Sequence, residues 1–270
     1  MSENPAGHLA LKSLRREWAV YAGLSAVATA AGFLVLRTNW SAALALRWLI
    51  GSLIVLVYLY GSLLRQLDKN RLKSTVDAPL LPSFGLANDI TITRSVLVAW
   101  MAGFLLSPWP NGYLGWVPGM LFLAMVLMDY LDGLAARAAG RITYLGEQLD
   151  MDWDCIGVLF AAILLARYGQ VPAIYVLVGL ARYLYLFGLW LHTRQGGIVG
   201  ELPPSRYRRI LGGMQMGFIA VALLPIFGPP LTQIAAVLFM IPVLLSFTRD
   251  FLSVTGVLSH LPEAGNISGR

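Results

Sequence analysis

Apolar runs recur along the chain at 18–36, 42–64, 95–106, 114–128, 156–168, 171–191, 213–227 and 234–251, separated by short polar or Gly/Pro-bearing stretches. A helix needs about 20 apolar residues to cross a bilayer. The third, fourth and fifth runs fall short of that, and each ends at a cluster of polar residues. Their helices are therefore expected to continue past the apolar run into a sheltered polar cavity, where backbone and side chains can be satisfied away from lipid. The sequence has no alternating strand pattern, no barrel periodicity and no internal repeat. The pattern predicts an all-α integral membrane protein of eight spans: a two-helix transmembrane hairpin followed by a six-helix core.

Composition agrees with this pattern. Hydrophobic residues make up 57% of the 270 and charged residues only 13%, against about a quarter charged in soluble domains. The net charge of +6 does not point to nucleic acid, because the positive-inside rule accounts for it. Lys12, Arg15 and Arg16 precede the first run, and Arg65, Lys69, Arg71 and Lys73 follow the second. Arg137 and Arg141 follow the fourth, and Arg194, Arg206, Arg208 and Arg209 follow the sixth. The intervening loops at 109–113 and 228–233 carry no Lys or Arg. This places both termini in the cytoplasm of a multi-pass cell-membrane protein. Ala28-Thr-Ala30 resembles a cleavage site, but the apolar run continues past it, so the first segment reads as a retained helix. Cys155 is the only cysteine, which excludes an intramolecular disulfide and a cysteine-built zinc site. Residues 1–66 read as a basic tail and hairpin, 67–88 as a polar connector along the membrane face, 89–256 as the catalytic core, and 257–270 as a flexible tail.

The candidate chemistry lies where the fourth run ends and the fifth begins. Asp129, Asp132, Gly133, Ala136 and Arg137 share one helical face by their spacing. Gly140 to Thr143 reads as a break. Gly146, Asp150 and Asp154 then recur every four residues on a second helix. Face-to-face packing of the two helices would bring four carboxylates together. Buried helix–helix polar contacts explain this poorly, because four acids and one arginine leave net negative charge in a low-dielectric setting. A cation or proton pathway also clusters acids, but gives the Gly and Arg spacing no purpose. Oxygen ligands without histidine suit Mg²⁺ or Mn²⁺. Two such ions can clamp a diphosphate, and Arg137 can hold phosphate bidentately.

Asp129-x2-Asp132-Gly133-x2-Ala136-Arg137-x8-Gly146-x3-Asp150-x3-Asp154 meets every fixed position of the CDP-alcohol phosphotransferase motif. From about Asn88 to the last span the chain resembles that family, while the hairpin lies outside its common core. The resemblance implies a six-helix core, a homodimer, and a polar cavity facing the cytoplasm. It implies two divalent ions among Asp129, Asp132, Asp150 and Asp154, with Asp154 also the general base. It implies that Gly133, Arg137, Thr143 and Gly146 contact the cytidine diphosphate. Asn88-Asp89-Ile90-Thr91, just before Arg94, looks like the family's Asn-x-x-Thr opening of the first core helix, which also lines the nucleotide site.

The implied reaction transfers a phosphatidyl group from CDP-diacylglycerol to a small polar alcohol, releasing CMP in phospholipid synthesis. The reverse arrangement, a soluble CDP-alcohol and a lipid acceptor such as diacylglycerol, stays open, as does the remoter cation-coupled transporter. Arg182, Arg206, Arg208 and Arg209 are candidates for binding an acceptor phosphate, or equally for anchoring at anionic headgroups. Pro204-Ser-Arg206-Tyr-Arg208-Arg209, with Gln215 beyond, resembles the helix start of members that use phosphorylated acceptors. Cys155 stands where phosphatidylglycerophosphate synthases carry a lysine.

Overall fold

The computed structural model describes the backbone of residues 5–75, 78–139, 142–200, 202 and 205–256, and their side chains except at 5, 132 and 134–139. Among these residues the chain forms α1 (Pro5–Asn39), α2 (Ala42–Arg65), α3 (Leu86–Gly103), α4 (Val117–Ala139), α5 (Tyr144–Arg167), α6 (Val176–Arg194), α7 (Arg206–Ala222) and α8 (Leu231–Val254). This is the all-α membrane architecture that the apolar pattern predicts. Six of the helices are long and apolar enough to cross a membrane. The other two are α5, whose first half carries Glu147, Asp150, Asp152 and Asp154, and α7, with only 17 residues.

The helix boundaries follow local chemistry. Ser41 caps α2 by accepting from Leu44 N at 3.2 Å, and Thr143 caps α5 by accepting from Gly146 N at 3.0 Å. Each satisfies an amide that the first turn leaves open. The short runs at 95–106 and 156–168 lengthen into α3 and α5, as their polar ends suggest. α1 is longer than its apolar run: 35 residues, starting at Pro5 inside what reads as a basic tail. At about 1.5 Å per residue it exceeds the roughly 30 Å hydrocarbon thickness. The turns bearing Lys12, Arg15 and Arg16 therefore extend beyond it.

α3 is the hub. Its span is 61% buried, against 11–33% for the other five membrane candidates, and it packs on α2, α4 and α5. α2 crosses α3 at Gly51 and Gly103, where a Cβ on Gly103 would lie 2.6 Å from Trp48 O. The missing side chain is what lets the two backbones meet. Trp48 Nε1 donates to Trp100 O at 2.8 Å, and Trp100 Nε1 donates to Thr29 Oγ1 at 2.8 Å. Ser25 and Tyr60 share a hydrogen bond of 2.6 Å within the hairpin. The hairpin is thus fastened to the core by polar contacts as well as apolar packing. A continuous apolar core runs through Leu59, Phe104, Phe122, Leu164 and Ile219.

The connector at 67–88 is tied to the motif-bearing helices. Leu72 forms a bridge with Thr143, Lys73 N donates to Ile142 O at 3.0 Å, and Tyr144 N donates to Arg71 O at 3.1 Å. It therefore pairs with the turn that separates the two halves of the carboxylate motif. The segment 257–270 and Gly140 and Arg141 lie outside the described residues.

Candidate active site

Three helices build the site. α4 carries Asp129, α5 carries Asp150 and Asp154, and α3 approaches from the interior with Arg94. Asp129, Asp150 and Asp154 each bring a carboxylate oxygen within 4.8 Å of the others. Their side chains are 31%, 41% and 26% exposed, while that of Arg94 is 1% exposed. The cluster is therefore open on one side and closed by the guanidinium on the other. Arg94 Nη1 lies 3.2 Å from Asp129 Oδ1 and also pairs with Asp154. Its Nη2 pairs with the Asp150 carboxylate and donates to Asp150 O at 3.2 Å. Three carboxylates face one guanidinium, so two negative charges remain among these four groups. Such an excess next to apolar helices calls for a further cation.

The donor set suits a divalent ion. It is all carboxylate oxygen, with no histidine or cysteine in the cluster, as hard cations prefer. That Arg94 already sits there shows that the pocket accepts positive charge. Asp132 falls one turn past Asp129 on α4, but its side chain lies outside the described residues, as does that of Arg137. Gly133 is half-buried on α4, four residues past Asp129.

The residues assigned to the nucleotide separate into two groups. Asn88 and Thr143 are 4% and 2% exposed. Asn88 Nδ2 donates to Thr143 Oγ1 at 3.1 Å and to Asn70 Oδ1 at 3.2 Å. A Cβ on Gly146 would overlap Asn88 Oδ1 and lie 3.1 Å from Thr143 Oγ1. The space beside Gly146 thus admits the Asn88 amide, where the sequence pattern suggests room for a nucleotide. Thr91 is buried and donates back to Ala87 O at 3.1 Å. Asp89 turns the other way. It lines a cavity of about 640 Å³ with Arg16, Glu17 and Tyr21 of α1. Ile90 is half-buried. Consecutive helical residues point about 100° apart, and of Asn88 and Asp89 only Asp89 lines this cavity.

The four arginines also separate. Arg182 and Arg208 line a cavity of about 490 Å³ with Cys155, Tyr185 and Asp250 among apolar neighbours. Arg208 Nη1 meets Asp250 Oδ2 at 3.0 Å, and Arg182 contacts Cys155. Arg206 and Arg209 are exposed. Gln215, two turns past Arg208 on α7, is buried against Tyr175. A second, more polar cavity of about 680 Å³ shares Met151 and Arg182 with the first and adds Lys69, Arg71 and Asp152. Asp152 is exposed, and Glu147 pairs with Lys73 at 2.6 Å.

Arg94, Asn70 and Asp250 are the residues that the motif alone does not bring forward. For Arg94 a signal exists: it is the one charge within 90–106, and it falls on the Asn88–Thr91 face at a further interval of three. An intramembrane charge in such a place is a functional candidate. The family model described as CDP-alcohol phosphatidyltransferase matches residues 84–248, more than half of the chain. The match takes in α3 to α7 and most of α8, with Arg94 and every motif aspartate. The hairpin and Asn70 precede it.

Proposed function

The chain belongs to the CDP-alcohol phosphatidyltransferase family, and we propose that it moves a phosphatidyl group from CDP-diacylglycerol to the hydroxyl of a small polar alcohol. The observation that carries this reading is the convergence of Asp129, Asp150 and Asp154 from two helices onto one cation-accepting point. Asp132, on the same face of α4, would complete the set. Divalent ions held there would neutralise charge on the diphosphate and on leaving CMP.

The rest of the chemistry falls to the chain itself. The acceptor oxygen attacks the β-phosphorus, and Asp154 takes the hydroxyl proton. The bond from the β-phosphorus to the oxygen bridging to CMP breaks, CMP carries that oxygen away, and a phosphodiester remains. Asn88, Thr143, Gly133 and Arg137 hold the cytidine diphosphate. Arg182 and Arg208 receive the acceptor's polar group, in a cavity whose apolar walls suit a reaction at the lipid boundary. The acceptor is a phosphorylated alcohol, which the paired arginines favour. The core at 89–256 carries the catalysis as a homodimer in the cell membrane, its site on the cytoplasmic side.

The test is CMP release by the purified protein with CDP-diacylglycerol and Mg²⁺, across glycerol 3-phosphate, inositol phosphate, inositol and serine. Stimulation by one acceptor supports the reading and names the product. CMP released only from a soluble CDP-alcohol with diacylglycerol reverses donor and acceptor. No CMP from any pairing, with metal binding intact, overturns transferase chemistry.

A further inference from the structure

We propose that Arg94 is the resident counter-cation of the aspartate cluster and exchanges with a divalent ion at the same carboxylate oxygens. The guanidinium enters from the buried side and pairs with Oδ1 of Asp129, Asp150 and Asp154. These are the three residues whose oxygens lie within 4.8 Å of one another. Acids held that close repel unless a cation lies among them. Arg94 supplies that cation from α3, independently of the helices that bear the acids, and so keeps α4 and α5 together before any ion arrives.

A guanidinium and a divalent ion cannot share these oxygens without two positive charges in close contact. Entry of the ion from the exposed side therefore displaces Arg94 from at least Asp129 and Asp154. The freed group is not left without a partner. Its Nη2 also donates to Asp150 O at 3.2 Å, and a bound diphosphate offers new anionic oxygens, which a planar guanidinium binds well. On this reading Arg94 is a positioning residue that sets how strongly metal must bind, and couples metal entry to phosphate capture. It explains why a fully buried arginine stands in a membrane helix facing acids that the reaction needs for metal.

The inference rests on the metal-dependent reading above, and the test separates the two. Mn²⁺ affinity of the full-length protein in detergent is measured by electron paramagnetic resonance for wild type, Arg94→Gln and Arg94→Lys. Removing the competing charge in Arg94→Gln should tighten Mn²⁺ binding by about tenfold or more, whereas Arg94→Lys should stay near wild type. In chelator, Arg94→Gln should melt below wild type, and saturating Mn²⁺ should close that gap. Unchanged or weaker Mn²⁺ binding in Arg94→Gln overturns the exchange and makes Arg94 a mere support of the ligands. No Mn²⁺ binding by wild type overturns the metal-dependent reading as well. Should Arg94→Gln fail to fold, a wild-type structure with Mn²⁺ decides. The guanidinium should have left Asp129 and Asp154, and retention of both contacts beside a bound ion overturns the proposal.

Discussion

Asn88 donates a hydrogen bond of 3.2 Å to Asn70 Oδ1, joining a residue of the motif-bearing core to one that precedes the family match. Asn70 is fully buried, and its own amide donates to Ser83 O at 2.9 Å and Leu81 O at 3.3 Å. One side chain thus closes the connector on itself and fixes the amide that reaches Thr143.

Asn70→Ala should therefore act at a distance from the carboxylates. It leaves buried polar groups unpartnered, at about 1–3 kcal/mol each. The melting temperature should fall, and KM for the CDP substrate should rise more than kcat drops. Asn70→Asp keeps the acceptor for Asn88 and should recover part of the KM effect. Steady-state kinetics with both variants checks this, and equal KM values in all three proteins would count against it.

Gly146→Ala tests the same network from the other helix. Its Cβ would collide with Asn88 Oδ1, and overpacking of this kind destabilises by about 1–3 kcal/mol. The expected outcome is a lower melting temperature together with weaker CDP binding by calorimetry. Gly212→Ala, where a Cβ has open space, should show neither change.

Asp154→Asn should lower turnover by about a hundredfold or more, in the range expected for a general base. Metal-dependent CDP binding should largely survive. Wild-type turnover in this variant would remove Asp154 from the role of base.

Chelation should abolish CMP release, and Mg²⁺ or Mn²⁺ should restore it. Bound metal should also stabilise the fold, by about 2.7 kcal/mol at a hundred times the dissociation constant. A melting curve with and without chelator reads this apart from activity. Identical curves together with chelator-resistant turnover would contradict a metal site.

Arg208 and Asp250 are 25% and 19% exposed and paired, unlike Arg206 and Arg209 on the surface. Arg208→Ala should raise KM for a phosphorylated acceptor about tenfold or more, a charge-assisted contact contributing roughly 1.5–3 kcal/mol. Arg206→Ala should leave it near wild type. Acceptor titrations at saturating CDP substrate make the comparison, and equal effects of the two changes would assign both arginines to headgroup contacts.

Much of this was legible in the chain because apolar runs and helical spacing are local properties. Asp150 and Asp154, four apart, were bound to share a face of α5, and Asp129 to follow the apolar run of the facing helix α4. The acidic half of α5 shows why apolarity alone underestimates a helix that ends in a polar site: its apolar run begins at 156, while the helix begins at Tyr144. What stayed hidden depends on pairing across long sequence separations. Asn70 and Asn88 meet across 18 residues, Arg94 and Asp154 across 60. Asp89 illustrates a different limit. Its neighbours Asn88 and Thr91 look inward, and the motif stretch reads as one unit, but helical rotation turns Asp89 to α1 and Tyr21.

The pairing of Leu72 with Thr143 also sets where this protein can be cut and rejoined. A chimaera that begins at Phe84 would inherit every motif aspartate and Arg94, yet leave behind the strand-like segment that braces the turn between the two aspartate pairs. One that begins at Leu67 would carry that brace with it. The natural seam for exchanging the hairpin lies at the end of α2, well ahead of the boundary that family likeness alone would draw.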